Sequence, residues 1–447
     1  MRLLSRKGAL AFLPLALAAG CSRAPLERPN IVILVSDDQD YEHFGFMGHP
    51  LAHTPTLDAL ASDGVVFTRC LVPMSRCRPA QASLLSGQWP HQNGVYFNVG
   101  ADHIDPDTCI ANLLTEVGFQ TTGEGKFWEV NPRLMGFSNY TIRNYETFVR
   151  EGQEHLFDFI DEHAGEEPMF IWWAPSLPHV PHNPTPELLA LFDRTQIPIP
   201  DWYTGDEAEY RRREHTSLAM EAWLDRGVAE LLAKLEAVGE YENTVFLFLV
   251  DNGYANGLAS KGTAFEKGLR TPVVITWPGK IEGGRRYDEL VSVVDLYQTL
   301  VDYGAAARPE DTVGVSLRPL LDGQAEVQEL GLPDALFGAI YLQSPLQLEA
   351  LPERDAFGLW ARTERFKYVL YLRDVREAQD ERFKIQALLT DYPERNEGDE
   401  DLFDLVADPY ELENLAHLPE HAELKRELRR RAYDWWRETG GAELVLP

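Results

Sequence analysis

Three stretches of the chain hold uninterrupted apolar residues over the length of a strand, and each stops abruptly at polar residues. They are Asn30–Ser36 (NIVILVS), 169–173 (MFIWW) and Thr244–Val250 (TVFLFLV). A strand buried on both faces reads as such a run, whereas a half-exposed one alternates. The first run ends at Asp37-Asp38, the second shortly before Leu177-Pro178-His179, and the third at Asp251-Asn252-Gly253. Between them lie helical spacings, clearest over 217–238, where apolar residues recur every three or four positions. This alternation predicts an α/β fold in which a large, mostly parallel sheet is sandwiched by helices, with ligands held beyond the carboxyl ends of the strands.

Near residue 325 the pattern changes to more charge and amphipathic strands such as 366–372 (FKYVLYL), followed by an amphipathic helix over roughly 420–439. The expected organisation is therefore a catalytic domain over 29–325 and a smaller C-terminal α+β domain over 326–447.

The first twenty residues do not fit this scheme. Arg2, Arg6 and Lys7 form a basic start, an apolar stretch follows, and small residues lead to Cys21. This is the layout of an export signal, expected over 1–20 with a linker over 21–28. Its apolar part is too short to span a bilayer and contains Pro14. The ending LAAGC resembles a bacterial lipobox, which implies acylation of Cys21 and a lipoprotein of the periplasm or cell envelope. The alternative is a secreted soluble protein.

A net charge of −30 makes nucleic acid an unsuitable partner, and any anionic substrate must be drawn by a local cationic pocket. With 44% hydrophobic and 11% aromatic residues the composition is globular. With Cys21 given to the leader and Cys77 to chemistry, Cys70 and Cys109 remain, as a disulfide in an oxidising compartment or as two buried thiols.

Candidate chemistry gathers at the strand ends. Asp37, Asp38, Asp251 and Asn252 offer only oxygen donors, a set suited to Ca²⁺ or Mg²⁺ and not to a zinc pair. Either pair alone would also serve as a turn or helix cap; both together favour one metal ion. In Cys77-Arg78-Pro79-Ala80-Gln81, Pro79 reads as a first-turn proline, so Cys77 stands at a helix N-terminus, where amides favour a bound anion. The plainer reading is a buried structural cysteine.

The stretch from Cys77 to Gly87, CRPAQASLLSG, resembles the sulfatase signature, and Trp89 to Gly94 resembles the stretch that follows it. Further matches keep family order: 29–38 (opening strand and metal aspartates), 53–67 (next helix), Gly125-Lys126, Leu177 to Pro181, 250–253, 261–272 with Trp277-Pro278-Gly279, and 401–416 near the C-terminus. The resemblance implies an alkaline-phosphatase-like fold and a sulfuric ester hydrolase. It further implies that Cys77 is oxidised by a formylglycine-generating enzyme to formylglycine, whose hydrated aldehyde attacks sulfur. One Ca²⁺ would be held by Asp37, Asp38, Asp251 and Asn252 together with the residue at 77. Lys126 and Lys261 would supply charge to the sulfate and the leaving oxygen, Asp251 would help deprotonate the nucleophile, and His179 would act as the base that releases sulfate.

Two positions depart from the family pattern. Gln81 stands where the signature has arginine, a bidentate cation that a neutral amide cannot replace; Arg76 or Arg78, flanking Cys77, are the candidate substitutes. Trp128 stands where the family has histidine, leaving His182 or Glu129 as proton donors to the leaving group. Arg78, Gln81, Trp128 and His182 are thus the expected substrate-binding residues. The expected substrate is a sulfated glycan, with an aryl sulfate as the alternative. Two other functions compete: a phosphonate or phosphodiester hydrolase of the same superfamily, and a catalytically silent binding protein.

Overall fold

The computed structural model describes residues 28–98, 103–129, 131–141, 149–341, 356–374 and 394–444. The expected leader and its Cys21 lie outside these residues. Eight strands form one sheet: β1 (Asn30–Ser36), β2 (Val65–Leu71), β3 (Gln120–Gly125), β4 (Asn139–Thr141), β5 (Met169–Ala174), β6 (Thr244–Val250), β7 (Arg270–Thr276) and β8 (Arg285–Ser292). Their order is β4-β3-β5-β1-β6-β7-β2-β8. Only β7 runs against its neighbours, β6 and β2. The three apolar runs become β5, β1 and β6, side by side and parallel at the centre, with every residue buried.

Alternate residues of β1 feed opposite cores. Ile31, Ile33 and Val35 join one, against α1 (Cys77–Ser86) and α3 (Val293–Tyr303); Val32 and Leu34 join the other, against α2 (Glu207–Ala237). Helix α2 packs through Met220, Leu224, Val228, Leu231 and Leu235, at helical spacing. It begins ten residues before the expected 217. Its opening turns are mostly polar: Asp206 caps the amides of Ala208 and Glu209, Arg211 and Arg213 pair with Glu207 and Glu209, and Tyr210 packs against Ile197 and Leu218.

The second sheet is antiparallel, ordered β12-β11-β10-β9 from β9 (Ala335–Tyr341), β10 (Ala356–Thr363), β11 (Phe366–Tyr371) and β12 (Glu400–Asp404). Helix α4 (Ala422–Glu438) buries Leu428, Ala432 and Trp436 in the core that this sheet shares with one face of the first. An ionic contact joins the two sheets as well. Lys367 and Arg362 lie 2.9 and 3.1 Å from Glu266 Oε1, and Lys367 also donates to the Ala264 carbonyl at 2.9 Å. Burial alone would raise the Glu266 carboxyl, but the two cations hold it well below the usual carboxylate range. Cys70 and Cys109 are separate buried thiols, which settles that alternative against a disulfide.

Two tests follow from this packing. Glu266→Ala strands two buried cations and should cost about 3–5 kcal/mol in urea unfolding; a loss under about 1 kcal/mol would show that the ionic contact is dispensable. Asp295 caps α3 by accepting from the Ser292 and Val315 amides, both at 2.7 Å, and burial pushes its carboxyl up to about 6. A raised folded pKa means that the native state holds the proton more tightly, so this contribution is full below about pH 4 and is lost as pH rises through 6. The stability of Asp295→Asn should therefore gain on wild type between pH 4 and 7, by roughly 2–3 kcal/mol; a constant difference would refute the assignment.

Candidate active site

The central strands set the site. In the β1–β6 pairing Ser36 lies opposite Val250, so the residues that follow, Asp37-Asp38 and Asp251-Asn252, leave the sheet side by side. The Asp38 amide donates to Asp251 Oδ1 at 3.1 Å, and Asn252 Nδ2 donates to Asp38 Oδ1 at 2.7 Å. Asp38 adopts a left-handed φ of 58°, which aspartate tolerates better than most residues. On the other flank the Asp37 amide donates to the Leu177 carbonyl at 2.9 Å, tying the loop after β5 to the end of β1.

Each neighbouring element delivers one further group. Cys77, fully buried as the first residue of α1, places Sγ 3.7 Å from Asp37 Oδ1 and 3.8 Å from Asp38 Oδ1. Lys126 follows β3, and its Nζ donates to both Asp37 oxygens at 2.8 and 2.6 Å. Gly125 makes that turn feasible: its φ is 92°, and a Cβ there would lie 2.0 Å from the Ala174 carbonyl oxygen. Lys261 Nζ donates to the Asp38 oxygens at 2.5 and 2.6 Å and lies 3.1 Å from Cys77 Sγ. His179 puts Nε2 3.3 Å from Asp38 Oδ2. Its Nδ1 lies 2.6 Å from the Val180 carbonyl, which can only accept, so Nδ1 carries a proton and Nε2 is the nitrogen available for exchange.

Three carboxylates in a buried space repel one another, and the cations divide them unequally. Burial would raise Asp37, yet Lys126, with His179 and Lys261, holds it well below the ordinary range. Asp251 has the weakest compensation: burial, with Asp37 adding to it, pushes its carboxyl up to about 8. Burial and the Asp251 charge also push the Cys77 thiol far up, so an unmodified cysteine here is a thiol and not a thiolate.

The oxygen donors fit a hard cation. One atom each from Asp37, Asp38, Cys77 and His179 lie within 4.8 Å of one another, a group in which a thiol and an imidazole join the two carboxylates. The Asn252 Oδ1 atom is buried with no hydrogen-bond partner, an acceptor left open beside three carboxylates.

The other sequence candidates divide. Gln81 reaches the centre, where Nε2 donates to Asp251 Oδ2 at 2.9 Å. The Trp128 ring lies under Lys126 Nζ, 5.1 Å from its centroid, with the indole N–H buried and unpartnered. An indole can donate a hydrogen bond but not a proton at neutral pH. Arg78, expected to bind substrate, is instead paired with Glu129 at 3.7 Å, with His103 Nδ1 3.1 Å from its Nη2. That Nδ1 lies closer to Glu129, at 2.7 Å, and when it donates there it cannot also accept from Arg78, so Glu129, the suggested alternative proton donor, is occupied by both neighbours. His182 lies on the His179 loop with its ring bonded to the Pro178 carbonyl, and burial lowers its pKa. Ser176, which donates to Asp37 Oδ2 at 2.8 Å, carried no signal in the sequence beyond its place after an apolar strand.

The chain is similar to known proteins along most of its length. The family model described as Sulfatase matches residues 29–305, and that of the N-sulphoglucosamine sulphohydrolase C-terminal region matches 255–380. An ulvan-active sulfatase of Formosa agariphila is 26% identical over 436 residues, covering 94% of this chain and 82% of that protein. Human arylsulfatase A is 30% identical over 369 residues, covering 71% and 72%. Among solved structures, one bound to its substrate D-glucosamine-2-N,6-O-disulfate superposes with a TM-score of 0.76 at 19% identity, covering 92% of this chain and 98% of that one. A phosphonate monoester hydrolase from Silicibacter pomeroyi superposes at 0.73 with 17% identity, covering 92% and 96%.

The Gly125 turn gives the test of this geometry. Gly125→Ala meets both a left-handed φ and a backbone clash, and should cost at least about 2 kcal/mol in stability while moving Lys126 off Asp37. Turnover should fall more than stability requires. A variant with wild-type melting and rate would show that Lys126 does not depend on this turn.

Proposed function

The chain belongs to the sulfatase family and hydrolyses sulfate esters, and from that premise we propose that its nucleophile is formylglycine made from Cys77, its metal one Ca²⁺, and its substrate a sulfated glycan. The observation that carries this reading is the convergence of Cys77, two lysines and four oxygen-bearing side chains on one buried point, from segments as far apart as residues 37 and 261.

Asp37, Asp38, Asp251 and Asn252 would hold the ion, which supplies charge to the sulfate oxygens when bound. Conversion of Cys77 would supply a hydrated aldehyde, an oxygen nucleophile suited to sulfur. The chain's own residues do the rest. Lys126 and Lys261, each already against a carboxylate, neutralise charge around the nucleophile and on the departing oxygen. Asp251 would accept the nucleophile's proton in its ionised form, which the bound ion favours. His179, with Nδ1 fixed on the Val180 carbonyl, presents Nε2 for the proton transfer that frees sulfate. The Trp128 N–H can orient a substrate oxygen without protonating it.

Burial raises the Cys77 thiol, so an unmodified cysteine is a poor nucleophile here, and family membership supports its conversion by a formylglycine-generating enzyme. The silent-protein reading rested on Gln81 and Trp128; the completeness of the remaining set weighs against it. A glycan substrate is supported by the relatives, one named for ulvan and another an N-acetylglucosamine-6-O-sulfatase of Bacteroides thetaiotaomicron. The basic, then apolar, leader ahead of Cys21 supports export, with a lipid on that thiol.

Peptide mass at position 77 in protein from its native host should show formylglycine, and Cys77→Ala should lose about four powers of ten in rate. Asp251→Ala should lose both calcium and turnover. Sulfated saccharides should be cleaved in preference to aryl sulfates and phosphonate esters. Retention of the wild-type rate by Cys77→Ala would end the mechanism.

A further inference from the structure

Gln81 occupies the signature's arginine position, and its amide is spent on Asp251. The two lysines are spent on Asp37 and Asp38. One permanent cation of the site has no such commitment. Arg76 is the residue that precedes Cys77 and caps α1, and it is 2% exposed. Among the described residues no carboxylate pairs with its guanidinium, and Nε is buried without a hydrogen-bond partner. The guanidinium lies over Gly262, next to Lys261: a Cβ on Gly262 would sit 3.1 Å from Arg76 Nη2, and the Gly262 amide donates to the Ser75 carbonyl at 2.7 Å. The carboxylate it senses most is that of Asp38.

An unpaired buried cation costs a protein several kcal/mol, which makes sense only where a counter-ion arrives in use. The arriving charge at this site is the anion of the substrate. Arg78, the other flanking cation, is excluded by its engagement with Glu129 and His103. We propose that Arg76 binds the sulfuryl oxygens of the substrate, entering from the residue before the nucleophile and replacing the cation that the signature carries one helical turn after it. This rests on the sulfate-ester reading above and deepens it.

The proposal is tested on calcium-loaded protein with inorganic sulfate as the probe, followed by the sulfate-dependent rise in melting temperature and by competitive inhibition of turnover. In Arg76→Gln, sulfate affinity should fall about ten- to a hundred-fold, the equivalent of one charge-assisted contact. Without sulfate the same variant should melt at or above wild type, because an uncompensated buried charge has been removed. Arg76→Lys should bind sulfate with intermediate strength, and Gln81→Arg added to Arg76→Gln should recover much of the loss. Unchanged sulfate affinity in Arg76→Gln overturns the proposal. So does a loss that accompanies a lowered melting temperature without sulfate and is not recovered by Gln81→Arg, which marks the guanidinium as structural. If wild type binds sulfate through Arg76 but cleaves no sulfate ester, the hydrolase reading fails and this one stands. If wild type does not bind sulfate, this one fails whatever the enzyme cleaves.

Discussion

Everything at this site follows from placing three carboxylates where water cannot separate them. Asp37, Asp38 and Asp251 are nearly fully buried at the ends of two strands paired in register, so their repulsion is an obligatory consequence of the β1–β6 ladder. In a low-dielectric interior such repulsion is answered by cations or by protons. The chain uses both answers: lysines from two other segments clasp Asp37 and Asp38, and Asp251 is left with an affinity for a proton near neutral pH. The same arrangement makes the centre receptive to a divalent ion and keeps a titratable oxygen next to the nucleophile.

That electrostatic demand reaches well beyond the pocket. Lys261 belongs to a loop that continues into Glu266, and Glu266 is gripped by Lys367 and Arg362 of the second sheet. Lys267, the next residue, pairs with Asp40 at 2.9 Å, shortly after Asp37 and Asp38. The loop is thus fastened at two consecutive residues, one to the second sheet and one to the segment leaving β1, shortly after Lys261.

The parts legible in the sequence were those written in consecutive residues. Buried parallel strands are continuous apolar runs, and β1, β5 and β6 could be read as such, together with the polar residues that close them. The helix N-terminus at Cys77 was marked by Pro79. What could not be read depended on distant partners. The opening turns of α2 carry no long stripe and are held by a cap, local ion pairs and the packing of Tyr210 against Ile197. The reversed direction of β7 leaves no mark in residues 270–276. That Arg78 would be claimed by Glu129 and His103, while Arg76 would not be claimed by any carboxylate among the described residues, depends on side chains far apart in the chain. The engagement of Gln81 with Asp251 is of the same kind.

The grip of the second sheet on the Lys261 loop also bears on how such proteins can diverge. A region that only shaped the rim could be exchanged between relatives to change substrate preference while leaving the chemistry alone. Here the two cations on β10 and β11 help to hold the segment that carries Lys261, so a change in those strands reaches the centre of the site as well as its rim.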